Sequence, residues 1–248
     1  MKRIILGTIL SLFVVVLPQG LMAGELLAEA DALYDRGGLE NYKESIGLYL
    51  KAVAASPNNY EANWKCARTH RTYADNAKKH KIEGWKDICA RYGKMGMKYG
   101  QTAKELEPNK PDGHYYYGLS VGTYSDGVSV LTALAEGLKN KTQRSLEKVY
   151  ELDKMYDKAG PIIGLGRFWA VIPWPFRDKK KALKLYREYQ ATEYFANNDE
   201  ARVYIAELLL KLKGEENRAE ARSLLEKAAQ SDDIFYRDWA KRLLAEME

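Results

Sequence analysis

The stretch NYKESIGLYLKAVAASP, residues 41–57, decides the fold. Small and aromatic residues alternate along it at helical spacing, and a proline closes it. Such spacing places Tyr42, Ser45, Tyr49 and Ala52 on one side of a helix, and Pro57 ends the unit. Small residues at this interval let two helix backbones approach each other, and the aromatic residues fill the space between successive pairs. The stretch therefore predicts the second helix of a repeated helix pair.

The same pattern recurs along the chain. Each first helix of such a unit opens with a large residue followed by a small one, and four openings of this kind are present: Cys66-Ala67, Tyr117-Gly118, Leu165-Gly166 and Ile205-Ala206. These features are typical of the tetratricopeptide repeat, a unit of about 34 residues. An amphipathic stretch from Asp233 to Met247, with an N-cap predicted at Ser231-Asp232, resembles a capping helix. The sequence thus predicts an all-α fold, a tetratricopeptide-type helical repeat superhelix (an α-solenoid) with a C-terminal capping helix.

Residues 1–23 differ in character from the rest. Lys2 and Arg3 precede an apolar run from Ile4 to Leu17, and Ala23 offers a small residue for cleavage. The apolar run has about 14 residues, short of the ~20 that a permanent membrane helix needs. We expect a cleavable signal peptide and export to the bacterial periplasm. The alternative is that the segment is retained as an anchor. Neither cysteine lies near the predicted cleavage site, so attachment to a lipid is not expected.

The predicted domain division is therefore 1–23 as signal peptide and 24–248 as one helical repeat domain of about four to five helix pairs. Two departures from plain repeats are expected within it. An insertion beginning near Asp75 lengthens one connection, and an extra helix lies near residues 128–139.

Charge and cysteine content exclude some classes of function. Without residues 1–23 the chain has 37 basic and 34 acidic residues, a net charge of +3, which does not favour nucleic-acid binding. Lys179 to Lys181 is interpreted as a solvated helix face. Cys66 and Cys89 are expected on neighbouring antiparallel helices at different heights. Two buried free thiols are therefore favoured, and a disulfide is the alternative.

No motif in the sequence predicts catalysis or a bound cofactor. The three histidines and two cysteines lack metal-ligand spacing, and His70 falls at a slot where a packed ring is expected. Phosphate loops and nucleophile motifs are also missing from the sequence. We therefore expect a non-enzymatic binding protein without a cofactor.

The inner face of the superhelix provides the candidate binding residues. Repeat positions that face inward carry Trp64, Arg68 and Arg71, then Tyr115, then Arg167. Arginine pairs with carboxylates in two-point hydrogen bonds, and aromatic faces hold apolar or cationic groups. One hypothesis is an anionic ligand, either a small carboxylate or an acidic peptide end. The other is that the arginines form salt bridges within the protein and the aromatic rings merely pack.

A proline-bounded loop adds a further candidate residue. In Ile172-Pro173-Trp174-Pro175-Phe176 the prolines prevent helix and hold Trp174 on an extended connection. This loop is predicted either to contact a partner or line a pore, or to cover the helix ends as a hydrophobic plug.

These motifs carry two family resemblances. Tyr116-Tyr117-Gly118, Leu165-Gly166-Arg167, Ile172-Pro173 and Asp178 resemble the T component of TRAP transporters. That resemblance implies a ligand-accessible cavity and a periplasmic substrate-binding protein as partner, in the service of organic-acid uptake. The chain is more distantly similar to the repeat domain of the regulator-of-microtubule-dynamics family, although a signal peptide speaks against a cytosolic role. A protein-interaction scaffold for cell-envelope assembly is the rival function, and an oligomer is compatible with either.

Overall fold

The computed structural model describes residues 19–248, with side chains from Ala23 onward, and this part of the chain is helical without strands. Its helices are α1 (Gln19–Arg36), α2 (Leu39–Ala55), α3 (Tyr60–Lys79), α4 (Trp85–Leu106), α5 (Pro111–Gly127), α6 (Val130–Ala135), α7 (Leu138–Leu152), α8 (Tyr156–Val171), α9 (Lys179–Gln190), α10 (Asp199–Leu212), α11 (Glu215–Ala228) and α12 (Ile234–Ala245). A 3-10 helix spans Glu193–Asn197. The all-α prediction is confirmed.

The helices pack as antiparallel pairs, which stack side by side, and the short helix α6 lies between the two members of one pair. The pairs are α1 with α2, α3 with α4, α5 with α7, α8 with α9, and α10 with α11, and α12 covers the last pair. Local side chains define several helix starts: Asn59, Asp178 and Asn198 each accept a backbone N–H three residues on. Small residues lie at the crossings, where Ala52, Ala67 and Ala206 are fully buried. The repeat pattern thus becomes a helical solenoid.

The predicted signal peptide lies mostly outside the described residues, and its cleavage stays a prediction. Helix α1 begins at Gln19 and passes through the predicted cleavage position, where Ala23 is buried. Among the described residues, no helix is both long and apolar enough to cross a membrane.

The predicted long connection near Asp75 is wrong. The extra residues extend α3 to Lys79 and begin α4 at Trp85, which leaves only a short turn between them. Lys81 and Gly84 close this turn with left-handed φ values of 52° and 70°. The insertion becomes helix because α5 offers a packing surface along the whole length of α4.

The extra helix exists but is shorter than predicted. Helix α6 spans Val130–Ala135, and Gly137, with φ 64°, separates it from α7. Leu138 and Lys139 therefore belong to the paired helix α7. The predicted cap at Ser231-Asp232 is also displaced, because the Asp233 carboxylate accepts the Phe235 N–H and caps α12. Ser231 instead accepts the N–H of Asp233.

Both cysteines are buried free thiols, which confirms the favoured alternative. The Cys66 Sγ lies 3.6 Å from His70 Nδ1, whereas the Cys89 Sγ lies 3.6 Å from the carbonyl oxygen of Ala74, one turn further along α3. The two sulfurs thus lie at different heights on the pair α3–α4. Burial raises the pKa of Cys89 to about 11 and raises that of Cys66 further.

Candidate functional site

Helix α3 presents one face to the inside of the superhelix. Trp64, Arg68, Arg71, Asp75 and Lys79 follow one another at spacings of three and four residues, so their side chains share this face. Side chains of α1, α8, α10 and α12 surround it. We call the space bounded by these side chains the groove.

The Arg68 guanidinium lies at the α1 end of the groove. Its carbon Cζ lies 3.7 Å from the centroid of the Tyr34 ring. One nitrogen donates to the Tyr49 hydroxyl at 3.2 Å and forms an ion pair with Asp31 at 3.4 Å. The Nε atom of Arg68 is buried without a hydrogen-bond partner among the described residues. Arg68 is therefore held largely by intramolecular contacts.

Trp64 forms an aromatic wall beside Arg68. Its ring stacks on Tyr116 with centroids 5.6 Å apart and planes at 10°, and Arg68 lies 5.1 Å from its centroid. This arrangement joins α3 to α5 through flat, offset surfaces.

Arg71 occupies the middle of the groove and, of the three groove arginines, is the one without a hydrogen bond to a described residue. Its nearest acidic partner is Asp75, at 3.8 Å, beyond hydrogen-bond distance. Its Nε is buried and unpartnered within the described part of the chain, yet the side chain keeps 29% of its surface exposed. An enclosed guanidinium with free donors can hold a carboxylate by charge-assisted hydrogen bonds.

The charges around Arg71 come from its own helix, at Asp75 and Lys79, and from Glu200 on the distant helix α10. Desolvation lowers the pKa of Arg71, but Asp75 and Glu200 outweigh this effect and raise it above its usual range. Desolvation likewise opposes ionisation of Asp75, whereas Arg71 and Lys79 keep the pKa of its carboxyl lowered. Arg71 and Asp75 therefore both favour their charged forms.

Arg167 occupies the α8 side of the groove. It forms an ion pair with Glu207 at 2.5 Å, and its Cζ lies 4.2 Å from the Tyr204 ring and 5.4 Å from the Trp239 ring. This arginine is thus enclosed by α10 and α12 and already has a carboxylate partner.

Helix α12 closes the groove. The hydroxyls of Tyr204 and Tyr236 both donate to Glu200 at 2.6 Å, and burial, reinforced by this carboxylate, raises the pKa of both phenols. The Lys79 Nζ lies 4.8 Å from the centroid of the Tyr236 ring. The far end of α3 therefore meets the capping helix across the groove.

The structure brings four predicted site residues, Trp64, Arg68, Arg71 and Arg167, to the groove. Tyr115 lies beneath it, with 6% exposure, in edge contact with Tyr116 and Tyr156. Its hydroxyl lies against Gly160, where a Cβ would collide with it.

The last predicted site residue, Trp174, differs from the others because its side chain is exposed to solvent. It protrudes from the α8–α9 connection with 86% of its surface exposed, so it does not plug the helix ends. The neighbouring Ile172 is buried and anchors the loop.

Sequence reasoning missed the other charged and aromatic residues that complete the groove: Asp31, Asp75, Lys79, Glu200, Tyr204, Glu207, Tyr236 and Trp239. Lys79 and Asp75 fell in the segment interpreted as an insertion. Tyr236 and Trp239 fell in a helix interpreted only as a cap. An inward-facing aromatic stripe on α12 was the available signal.

A second cavity, of about 520 Å³, lies between α7, α8 and α9. It is lined by Leu165 of α8 and by seven residues of α7 and α9: Glu147, Tyr150, Lys180, Lys181, Lys184, Leu185 and Glu188. Lys181 pairs with Glu147 there and the Tyr150 hydroxyl donates to Glu188 at 2.8 Å, whereas Lys180 and Lys184 have no ion pair among the described residues. It does not include the arginines of the groove. Within the described residues, no cluster of potential metal ligands is present.

Comparison with known structures supports the fold. The chain is similar to TTC0263, a thermophilic TPR protein from Thermus thermophilus, with 19% identity, 90% of this chain and 99% of that chain covered, and a TM-score of 0.63. It is also similar to MamA, with 15% identity, 86% and 97% coverage and a TM-score of 0.53. At these identities the likeness shows the helical repeat fold.

Comparison with known sequences gives the family. No curated protein sequence matches the chain. The model of the regulator of microtubule dynamics protein 1-3 family matches residues 26–166, more than half of the chain, and these residues contain α2 to α7 with most of α1 and α8. The more distant of the two resemblances is thus the one that is confirmed, and the chain belongs to the regulator of microtubule dynamics protein 1-3 family.

Proposed function

We propose that this chain is a protein-interaction scaffold that binds an acidic peptide segment of a partner protein in the groove. A tetratricopeptide-type superhelix supports this proposal because its curvature creates an extended concave binding surface. The observation that carries it is the state of Arg71, a partly exposed guanidinium without a hydrogen bond to any described residue.

The other groove charges explain why Arg71 is the expected anchor. Arg68 and Arg167 have close acidic partners in Asp31 and Glu207. A ligand carboxylate at either arginine would have to displace a carboxylate already present. At Arg71 it would add hydrogen bonds to donors that have none. The stacked Trp64 and Tyr116 rings extend the surface for apolar parts of the same segment.

The test is to select binders for the full chain from a displayed library of random peptides with free carboxyl ends. Affinities of the selected peptides are then measured by fluorescence anisotropy for the wild type, Arg71→Met and Arg242→Met. We expect acidic peptides to be selected, and Arg71→Met to weaken them roughly tenfold or more, since hydrogen bonds to charged groups contribute about 1.5–3 kcal/mol.

Arg242→Met is the matched control because Arg242 lies on α12, is 64% exposed and has only a 3.9 Å contact with Glu246. It should leave the affinity unchanged. Selected peptides that bind Arg71→Met as tightly as the wild type would contradict the proposal.

A small carboxylate is the second candidate ligand, and the enclosure of Arg71 favours it as well. In this version the chain is an exported periplasmic accessory of a TRAP-type organic-acid transporter and associates with a substrate-binding protein. A rise in melting temperature with small carboxylates, absent in Arg71→Met, would support it, because a ligand that binds only the folded state stabilises that state. Peptide binding without such a rise would support the scaffold.

A further inference from the structure

Two neighbouring surface segments hold most of the exposed apolar side chains. Six of the nine large apolar side chains that are exposed in the described residues belong to them: Val130, Leu131 and Leu134 on α6, and Val171, Trp174 and Phe176 at the α8–α9 connection. We call these six residues the apolar patch. The Lys139 Nζ lies 5.2 Å from the centroid of the Phe176 ring and joins the start of α7, beside α6, to that connection.

The segments that carry the apolar patch also concentrate positive charge. Residues 128–148 and 171–184 contain nine basic and three acidic residues, a net charge of +6, whereas the whole chain has +5. The rest of the chain is thus close to neutral. A surface that combines exposed apolar side chains with this charge favours an anionic partner with an apolar interior.

The three acidic residues in these segments have partners within the protein, and the net charge of +6 already counts them. Glu136 accepts a hydrogen bond from the Tyr124 hydroxyl at 3.0 Å, and Glu147 pairs with Lys181. Asp178 caps α9 by accepting the Lys181 N–H. Lys180 is exposed and has no ion pair among the described residues.

The shape of the apolar patch distinguishes a membrane from a protein partner. Helix α6 has no buried residue, and Leu131 on it is 78% exposed. Trp174 protrudes from a loop. Side chains that project outward suit insertion between lipid headgroups, where tryptophan is enriched, whereas a helix partner would need a groove to receive it.

We propose that the apolar patch inserts into the headgroup region of an anionic lipid membrane, with the lysines around it contacting the lipid charges. This inference is independent of the ligand of the groove. It assigns the chain a peripheral membrane contact through α6 and the α8–α9 connection.

The test uses the full chain and vesicles of 70% phosphatidylcholine and 30% phosphatidylglycerol, with and without a brominated phosphatidylcholine. Bromine quenches tryptophan that enters the bilayer. We expect quenching in the wild type, loss of the quenched fraction in Trp174→Phe, and about tenfold weaker binding to pure phosphatidylcholine. The chain has four other tryptophans, so the signal of the apolar patch is the difference in quenching between the wild type and Trp174→Phe. Membrane binding through residues 4–17 that leaves Trp174 outside the bilayer would quench the two proteins equally.

Two pairs of variants complete the test. Leu131→Ser with Leu134→Ser should reduce Trp174 quenching, whereas Ile234→Ser, at another exposed apolar residue, should not. Lys179→Gln with Lys180→Gln should weaken binding to the anionic vesicles, and Lys213→Gln with Lys241→Gln serves as the control. Circular dichroism checks that each variant is folded. The absence of quenching at Trp174 would overturn the proposal, and so would equal effects of the test and control variants. Binding of the apolar patch to an acidic peptide, without binding to vesicles, would also overturn it.

Discussion

At the scale of a single residue, His70 shows how the core is specified. It has 2% exposure and lies between the rings of Tyr92 and Tyr99, with centroids 5.8 and 5.7 Å away. Its Nδ1–H donates to the Cys66 carbonyl oxygen at 2.8 Å. Burial lowers its pKa from 6.5 to about 4. The imidazole therefore packs in its neutral form, and a packed ring at this position agrees with the sequence-based expectation.

This pKa gives a prediction for stability against pH. Between pH 6.5 and 4 the unfolded chain binds a proton at His70 and the native chain does not, so the free energy of unfolding falls as the pH falls. The decrease attributable to His70 should approach ~3 kcal/mol, at about 1.4 kcal/mol per pKa unit, and level off below about pH 4.

The measurement is the free energy of unfolding in urea at about pH 7 and at about pH 4.5. Most of the proton uptake by His70 in the unfolded chain occurs between these two pH values. His70→Gln should lose less stability than the wild type between the two values, while His80→Gln, at an exposed position, should behave as the wild type. The same pH dependence in His70→Gln and wild type would show that His70 is not the responsible group.

At the scale of helices, the packing of α4 against α5 depends on glycine. A Cβ at Gly93 would lie 2.5 Å from the Tyr124 backbone nitrogen, and one at Gly100 would lie 2.8 Å from the Tyr117 Cα. Both distances are too short for backbone atoms to tolerate. Because these glycines have no side chain, the two helix backbones approach closely along their length.

We predict that Gly100→Ala destabilises the protein by about 1–3 kcal/mol, the usual cost of overpacking, although alanine favours helix by up to about 1 kcal/mol over glycine. Gly122→Ala in α5 is the control, since no atom lies within 4 Å of its added Cβ, and it should be neutral or stabilising. Chemical denaturation of both variants measures the difference. Equal stability changes would mean that the helices separate at no cost.

At the scale of the whole molecule, the chain is a stack in which each helix pair packs mainly on its neighbours. Helix α12 buries Tyr236, Ala240 and Leu243 against α10 and α11. It also meets α3, where the Lys79 Nζ lies 5.9 and 4.8 Å from the centroids of the Phe235 and Tyr236 rings. A stack of this kind is stabilised by nearest-neighbour interfaces, so damage at one end should stay local.

We therefore predict that Leu243→Ala costs about 2–5 kcal/mol in local stability and speeds amide hydrogen exchange within residues 199–248, but not in α1 to α4. Ile234→Ala, at an exposed site on the same helix, is the control and should leave exchange unchanged. Faster exchange in α3 as well would show that closure of the groove couples the two ends.

The amino-acid sequence by itself determined the helix pairs, the capping helix, the buried thiols and the inward direction of Trp64, Arg68, Arg71 and Arg167. These features follow from spacings of three and four residues, which a helix translates directly into one face. Family membership rests on the same local pattern.

Only the tertiary structure decided which charges meet in the groove. Arg71 and Glu200, or Lys79 and Tyr236, are far apart in the chain, and the accumulated rotation of the helix pairs brings them together. It also decided that the residues after Asp75 are helix, because their conformation depends on packing against α5. Local spacing cannot report either feature, since both depend on how successive pairs are turned relative to one another.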